Sequence, residues 1–250
     1  YEDTETKQII GLVKQSDITD QVNVEWFMID YEAAAWQAIR EVFQRALVRG
    51  CVFHWTQRIY RQVIRLGLSA TYTQGGDTYQ FIRKILALPF LPSEHIPGAF
   101  TELQTLANLG AEPVNRLVDY VNSKWISGNI WRPDNWSVFR ETVRTNNDVE
   151  GWHRGINSRA NGSKLPFYVL VPLLRSEAED VTITVRLVSE HIVTRTHREK
   201  YKKIHQQLFN MWDKYENQDD YSTSQLLREC SHLVGIGPIP ASIDDHGDDD

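Results

Sequence analysis

The sequence predicts an α/β fold that is predominantly helical overall. Residues 24–55 alternate short apolar runs with an amphipathic segment, in the order strand, helix, strand. After Gly67 the apolar residues recur at helical spacing, several prolines punctuate the pattern, and no convincing strand follows through residue 139. We therefore expect a β-α-β-α core, a large helical insertion and a return helix.

The core elements follow one another closely. The runs that predict them are a strand from Val24 to Ile29, a helix from Glu32 to Phe43, a strand from Leu47 to Phe53 and a helix from Trp55 to Leu68. The first strand is apolar at consecutive positions, so we expect it to be buried on both faces. It is followed directly by Asp30, and ligands of open α/β sheets bind beyond the carboxyl ends of the strands.

The remaining elements are helices and loops. A short helix is predicted over residues 4–15, and later helices over 77–88, 97–108, 111–124, 146–158 and 167–215. The segment 124–136 carries three tryptophans and is predicted as a loop. The final segment 244–250 contains five Asp and is predicted to be disordered.

Composition limits the function classes. The 250 residues are 41% hydrophobic, contain two cysteines and include no apolar run long enough to span a membrane. The net charge of −6 comes largely from the acidic tail, whereas residues 40–65 hold six Arg and one Glu. Such a basic stretch either contacts phosphates or forms an ordinary solvated helix face. No glycine-rich phosphate loop is present, which argues against a nucleotide cofactor.

Two carboxylates are the leading candidates for chemistry. Asp30 and Glu150 both stand at the ends of predicted elements, and carboxylate oxygens are preferred ligands of Mg²⁺ and Mn²⁺. Spacing alone leaves a simpler alternative, in which Asp30 caps the helix that starts near Tyr31. Glu32 is a competing acid, better explained as an exposed first-turn residue.

A CxxH motif follows the second strand. Cys51 and His54 make half of a zinc site, which is weak evidence because structural zinc needs four ligands. A buried cysteine beside a hydrogen-bonded histidine is the preferred explanation, and zinc is not expected. The tryptophans of the loop, Trp125, Trp131 and Trp136, either stack on nucleic-acid bases or belong to the core.

Several of these motifs together resemble one family. The run from Phe27 to Leu68 (FMIDYEAAAWQAIREVFQRALVRGCVFHWTQRIYRQVIRLGL) is similar to the Mutator-like element (MULE) transposase domain. LALPFLPSEHIPGAF and YVNSKWISG…WRPDNWSVF resemble the insertion region of that domain. RTNNDVEGWHRGIN resembles its closing acidic motif. The resemblance covers about residues 9–165, with the pieces in the expected order.

The resemblance implies a ribonuclease-H-like core, interrupted by an all-α insertion, and a DDE-type site that binds two Mg²⁺ or Mn²⁺ ions and cuts and joins DNA. By position, Asp30 matches the second acidic residue and Glu150 the third, and Cys51 and His54 match the family's CxxH. The expected partner is DNA, with a nuclear location, a homo-oligomer acting on paired DNA ends and no membrane. The residues expected to contact DNA are Arg49, Arg58, Arg61, Arg65, Trp125, Trp131, Asn147 and His153.

One departure from the family pattern affects the functional expectation. The first acidic residue belongs on an opening strand that this chain does not show, and Asp3 is followed by no strand. We therefore expect an incomplete core, an incomplete two-metal site and no catalysis by this chain alone. The alternative is a domesticated or decayed transposase that binds DNA or protein without catalysis. The expected divisions are a partial core (1–68), the insertion (69–143), the closing acidic helix (144–165), a C-terminal helical region (166–235) and an acidic tail (236–250).

Overall fold

The computed structural model describes residues 24–108, 110–145, 147–160, 166–189 and 199–233. They are predominantly helical, as predicted. The chain divides into two compact units, one containing residues up to Arg144 together with those from Leu208 onward, and one containing residues 145–207. Among the described residues, no helix combines the length and apolar character that crossing a membrane requires.

The first unit opens with a βαβ arrangement. Strand β1 (Trp26–Ile29) pairs in parallel with β2 (Leu47–Gly50), with Trp26 opposite Leu47 and Ile29 opposite Gly50. Parallel strands need a crossover connection, which helix α1 (Ala33–Val42) provides. Its three consecutive alanines favour a helix, and its residue Trp36 is fully buried.

Two details of this unit differ from the sequence prediction. Strand β2 ends at Gly50 rather than Phe53, and helix α2 (Val52–Arg65) begins three residues earlier than predicted, with Cys51 at its N-cap position. Val52 and Trp55 therefore belong to the buried face of a helix. Strand β1 is also not buried on both faces, because Trp26 is 42% exposed.

The predicted helical stretch is confirmed. Helices α3 to α6 and the short α7 span Ser69–Gln74, Asp77–Ala87, Ile96–Ala107, Glu112–Val121 and Pro133–Trp136. The tryptophan-rich segment is more ordered than the predicted loop, because it contains α7 and a π-helical turn over Asn122–Ile126. Gly75 and Gly76 have positive φ angles of 82° and 84°, a backbone conformation that favours glycine at the turn between α3 and α4.

The C-terminal residues complete the first unit. Helix α10 (Glu199–Asn217) contributes Trp212, whose indole N–H donates to the carbonyl of Phe90 at 2.9 Å. Helix α11 (Thr223–Leu233) packs against α4, where the Arg83 guanidinium donates to the carbonyls of Ser231 and His232. Cations suit the carbonyl-rich end of a helix, so Arg83 helps to anchor α11.

The second unit contains helix α8 (Asn147–Arg159) and helix α9 (Phe167–Ser189). The helix predicted around Glu150 is therefore confirmed. The helical pattern predicted over 167–215 is confirmed where the structure describes it, in α9 and α10. The predicted helix over 4–15 and the acidic tail over 236–250 lie outside the described residues.

The sheet of the described residues has two parallel strands. This agrees with a helix-rich α/β chain, and the ribonuclease-H-like arrangement remains an expectation. The expected divide at residue 68 does not coincide with the boundary between compact units. Ring contacts of Trp55 with Trp125 and Trp136 join the two sides of that divide.

Candidate functional site

Asp30 stands immediately beyond the carboxyl end of β1. Its backbone carbonyl accepts a 2.6 Å hydrogen bond from the indole N–H of Trp36, and its carboxylate is half exposed. The N-cap position of α1 is occupied by Glu32, whose side chain makes no capping bond. The alternative that Asp30 caps this helix is therefore wrong, and its carboxylate faces another partner.

That partner is His54, in the first turn of α2. Its Nδ1 lies 2.9 Å from a carboxylate oxygen of Asp30, and its side chain is 19% exposed. Parallel pairing of β1 and β2 brings the chain just after each strand to the same edge of the sheet. The CxxH histidine and the acidic residue after β1 thus meet because the two strands run side by side.

The surroundings of His54 favour its charged form. Burial by itself would lower the pKa of His54, but hydrogen bonds to Asp30 and Cys51 outweigh it and raise the pKa to about 9. The imidazolium is therefore the main form at neutral pH, and the contact with Asp30 is an ion pair. The predicted combination of a buried cysteine and a hydrogen-bonded histidine is confirmed, since Cys51 is fully buried.

Tyr31 explains the glycine that precedes this motif. A Cβ atom at Gly50 would overlap the phenol ring of Tyr31, closer than two carbons can approach. Tyr31 is 1% exposed, and burial raises the pKa of its phenol well above the usual value. Its backbone carbonyl accepts a 2.8 Å bond from Arg58. The sequence motifs do not predict Tyr31 as a site residue, although its position between Asp30 and helix α1 is a signal.

A distant segment borders the same site. The carbonyl of Arg144 accepts a 3.0 Å hydrogen bond from the amide of Val52, which satisfies one of the unpaired donors at the start of α2. Burial lowers the pKa of the Arg144 guanidinium. Nearby in sequence, Glu141 forms an ion pair with Arg49 on β2. Residues 141–144 are thus fixed against the βαβ unit.

An aromatic cluster joins the βαβ unit to the helical segment. Trp55 of α2 stacks on Trp136 with ring centroids 4.5 Å apart, and Trp125 packs edge-on against both Trp55 and Tyr31. Trp125 is 1% exposed and Trp136 is fully buried. The predicted DNA contact through Trp125 is therefore wrong for the folded chain, because a buried indole offers no face to a base. Trp131 is half-buried and also packs edge-on against Tyr31.

The arginines expected to contact DNA fall into two groups. Arg49 is paired with Glu141, and Arg58 binds the Tyr31 carbonyl while its guanidinium lies 5.8 Å from the ring of Trp131. Both side chains are therefore engaged within the fold. Arg61 and Arg65 are exposed on α2 and form no ion pair with a residue that the structure describes. Of these four arginines, the second pair remains available to a ligand.

The remaining predicted residues lie on α8. The backbone there is helical, but the side chains of Asn147, Glu150 and His153 lie outside the described part of the structure. The pairing of Asp30 with Glu150 stays a prediction. Where side chains are described, no three His, Cys, Asp or Glu residues form a group suited to a metal ion.

Comparison with known proteins adds no relative. Neither a protein-family model, nor a curated protein, nor a solved structure matches this chain.

Proposed function

We propose that this chain carries part of the catalytic core of a metal-dependent DNA strand-transfer enzyme of the MULE transposase type. The observation that supports this most directly is the ion pair between His54 and Asp30. In the sequence, Asp30 and the CxxH formed by Cys51 and His54 are separate motifs. Their contact at the carboxyl ends of two parallel strands is the arrangement expected of an active site in an α/β sheet.

The carboxylates have the chemistry that the proposed ions require. Asp30 is half exposed and offers hard oxygen ligands at the sheet edge, which suits Mg²⁺ or Mn²⁺. Glu150 is the other proposed ligand, because RTNNDVEGWHRGIN resembles the closing acidic motif of the family. When bound, such ions neutralise the charge that develops on phosphate oxygens during strand cleavage and transfer.

The other residues of the site position Asp30. The indole of Trp36 donates a hydrogen bond to the backbone carbonyl of Asp30, and the imidazolium of His54 forms an ion pair with the Asp30 carboxylate. Tyr31, packed on Gly50, fixes the backbone between them. These contacts restrict the orientation of the carboxylate, and such outer partners tune the geometry and affinity of metal ligands. Arg61 and Arg65 are the proposed contacts with the DNA backbone.

Metal titration tests this proposal. Mn²⁺ and Mg²⁺ binding should be measured by calorimetry for the unmodified chain and for Asp30→Asn. The matched control is Asp134→Asn, because Asp134 is also exposed and acidic but lies on α7. We expect Asp30→Asn to weaken binding about tenfold or more, and Asp134→Asn to leave it unchanged. Equal affinities for all three proteins would contradict the assignment of Asp30.

One observation favours a second candidate, a DNA-binding module without catalysis. The Asp30 carboxylate already has a cationic partner in His54, which balances its charge without a metal ion. This candidate predicts salt-sensitive DNA binding by the chain and no metal binding that depends on Asp30. Absence of DNA binding at low salt would exclude the module and would also remove the proposed role of Arg61 and Arg65.

A further inference from the structure

The segment that leads from the aromatic cluster to the candidate site passes through Arg140. We propose that Arg140 is a positioning residue for this site: by binding two carboxylates of helix α10, it holds residues 141–144 against β2 and the start of α2. The inference rests on the proposed function only for the chemistry of the site. The contacts that carry it lie within the first unit.

The residues just before Arg140 are held by the turn that follows helix α4. The hydroxyl of Ser137 donates to the carbonyl of Leu91 at 2.7 Å, and the amide of Val138 donates to the carbonyl of Pro89 at 2.7 Å. Ser137 and Val138 are both buried, so water does not compete for these bonds. This end of the segment is therefore fixed independently of the Arg140 side chain.

The backbone of Arg140 adopts a conformation that is unusual for an arginine. Its φ angle is 63°, and no other non-glycine residue of the described ranges has a positive φ. In this left-handed region the Cβ atom crowds a neighbouring carbonyl oxygen, so the conformation costs free energy and persists only where surrounding contacts hold it. The direction in which residues 141–144 leave Arg140 therefore depends on what binds its side chain.

Two carboxylates of α10 bind that side chain. Nη1 of Arg140 lies 2.6 Å from a carboxylate oxygen of Asp213, and its Nε donates to a carboxylate oxygen of Glu216 at 3.0 Å. The guanidinium also lies 5.9 Å from the ring of Phe209. Because Asp213 and Glu216 are three residues apart on one helix, both can reach the same planar guanidinium. We call these three charged residues the Arg140 junction.

Helix α10 provides a fixed anchor for the Arg140 junction. Trp212, the residue before Asp213, is fully buried, and its indole N–H donates to the carbonyl of Phe90 in the turn that also holds the start of the segment. The ring of Phe139 lies 5.4 Å from that of Trp212. The two carboxylates are therefore attached to an element that is itself held against the beginning of the segment.

Residues 141–144 brace the candidate site at two points. Glu141 forms an ion pair with Arg49 of β2, and the carbonyl of Arg144 accepts the 3.0 Å hydrogen bond from the amide of Val52. Val52 opens helix α2, whose first turn carries the histidine of the CxxH motif. When the Arg140 junction is broken, residues 141–144 lose their fixed direction, and the amide of Val52 loses its acceptor.

Hydrogen exchange at a single amide tests this role. In Arg140→Gln, the amide of Val52 should exchange about three- to tenfold faster than in the unmodified chain, because its acceptor is no longer held in place. The amide of Ile59, in the middle of the same helix, should change by less than about twofold. A contribution to overall stability alone would accelerate both amides alike. That result, or an unchanged rate at Val52, would overturn the proposal.

Breaking the Arg140 junction from its other side provides a second test. Asp213→Asn/Glu216→Gln should accelerate exchange at Val52 by the same factor as Arg140→Gln, and the triple variant should add nothing further, because all three changes remove one interaction. Arg116→Gln is the matched control, since Arg116 is exposed and pairs with Glu112 within α6. Additive effects of the two sides, or an equal acceleration in Arg116→Gln, would contradict the proposal.

These measurements are made on the chain without DNA or metal ions, so they decide the role of Arg140 whether or not Asp30 binds Mn²⁺. A failed metal titration would contradict the proposed function and leave the exchange result standing. If Arg140→Gln does not fold, the variant Asp213→Asn/Glu216→Gln decides, because both of its carboxylates are about half exposed and the arginine stays in place. An unchanged Val52 rate in that variant would then overturn the proposal.

Discussion

The indole N–H of Trp36 donates to the backbone carbonyl of Asp30 across a distance of 2.6 Å. Trp36 lies in the first turn of α1, and this bond fixes the peptide unit that follows Asp30, just before the turn into α1. Because Trp36 is fully buried, this bond is shielded from water and ties the position of Asp30 to the core. The candidate site is thus held in place by buried side chains that pack beneath it. Substitutions that disturb this packing therefore test the stability of the site.

Adding a methyl group at Gly50 should destabilise the first unit. In Gly50→Ala the new Cβ would overlap the ring of Tyr31, which has no free space because it is buried. Overpacking of this kind costs about 1–3 kcal/mol, and we expect the upper end of that range. Gly98→Ala is the matched control, since its Cβ would meet no atom within 4 Å and lies within helix α5. Urea unfolding should show no loss of stability for Gly98→Ala, and equal losses in both variants would contradict the Tyr31 contact.

The ion pair between His54 and Asp30 should make stability depend on pH. The pKa of His54 is about 9 in the folded chain, above the ordinary 6.5, so the stabilisation is fully present below about pH 6.5 and is lost as the pH rises through 9. The full shift corresponds to about 3 kcal/mol. Because half of the Asp30 side chain is exposed to solvent, we expect about 1–2 kcal/mol.

Denaturant unfolding from pH 6 to pH 10 measures that dependence. Asp30→Asn removes the carboxylate that raises the pKa of His54, whereas burial still opposes protonation. The pKa of His54 should therefore fall. An NMR titration of the imidazole reports the same change directly. A His54 pKa near 6.5 in the unmodified chain would contradict the ion pair.

The aromatic cluster should account for a large part of the stability of the first unit. Trp136→Ala removes a fully buried indole that stacks on Trp55, so we expect a loss of about 3–5 kcal/mol. Trp26→Ala is the control, because Trp26 lies in β1 and is 42% exposed, and its replacement should cost about 1 kcal/mol or less. Thermal unfolding followed by circular dichroism distinguishes the two. Similar melting temperatures for both variants would show that the cluster is not part of the core.

The second unit has its own anchor in Glu177. Its carboxylate accepts a 3.1 Å hydrogen bond from the indole of Trp152 and forms an ion pair with Arg159, so it joins α8 to α9. Glu177 is 6% exposed, and Glu177→Ala should destabilise this unit by about 1–3 kcal/mol because the donors lose a buried acceptor. Glu179→Ala is the control, since Glu179 is exposed and its ion pair with Arg175 lies within one helix.

Hydrogen exchange provides the measurement for Glu177. Amides of α8 should exchange faster in Glu177→Ala. In Glu179→Ala, the free energy of opening derived from their protection should change by less than about 0.5 kcal/mol. Unchanged protection of α8 in Glu177→Ala would show that this carboxylate does not join the two helices.

Local patterns predicted the elements better than the contacts between them. The apolar periodicity placed β1, α1 and most later helices, because each depends on residues close in sequence. The start of α2 was predicted too late, because VFHW is apolar enough for a strand and its first amide is satisfied by Arg144. Helix capping by a residue so distant leaves no local signal.

The site shows the same contrast. Asp30, Cys51 and His54 could be named from the sequence because they follow strand-like runs. The roles of Arg49 and Arg58 could not, because their partners Glu141 and Trp131 come from the distant helical segment. The sequence does not distinguish an arginine that faces solvent from one that is bonded to groups within the fold. Their difference appears only when the segments pack together.

The hydrogen bond from Val52 to Arg144 has a consequence for the order of folding. The acceptor is synthesised 92 residues after the donor, so the first turn of α2 cannot be completed by its native partner until Arg144 has been added to the chain. A contact of such large sequence separation forms slowly because the intervening loop must first close. During synthesis, the edge of the sheet that bears Asp30 and His54 therefore reaches its final form only after Arg144 has been added to the chain.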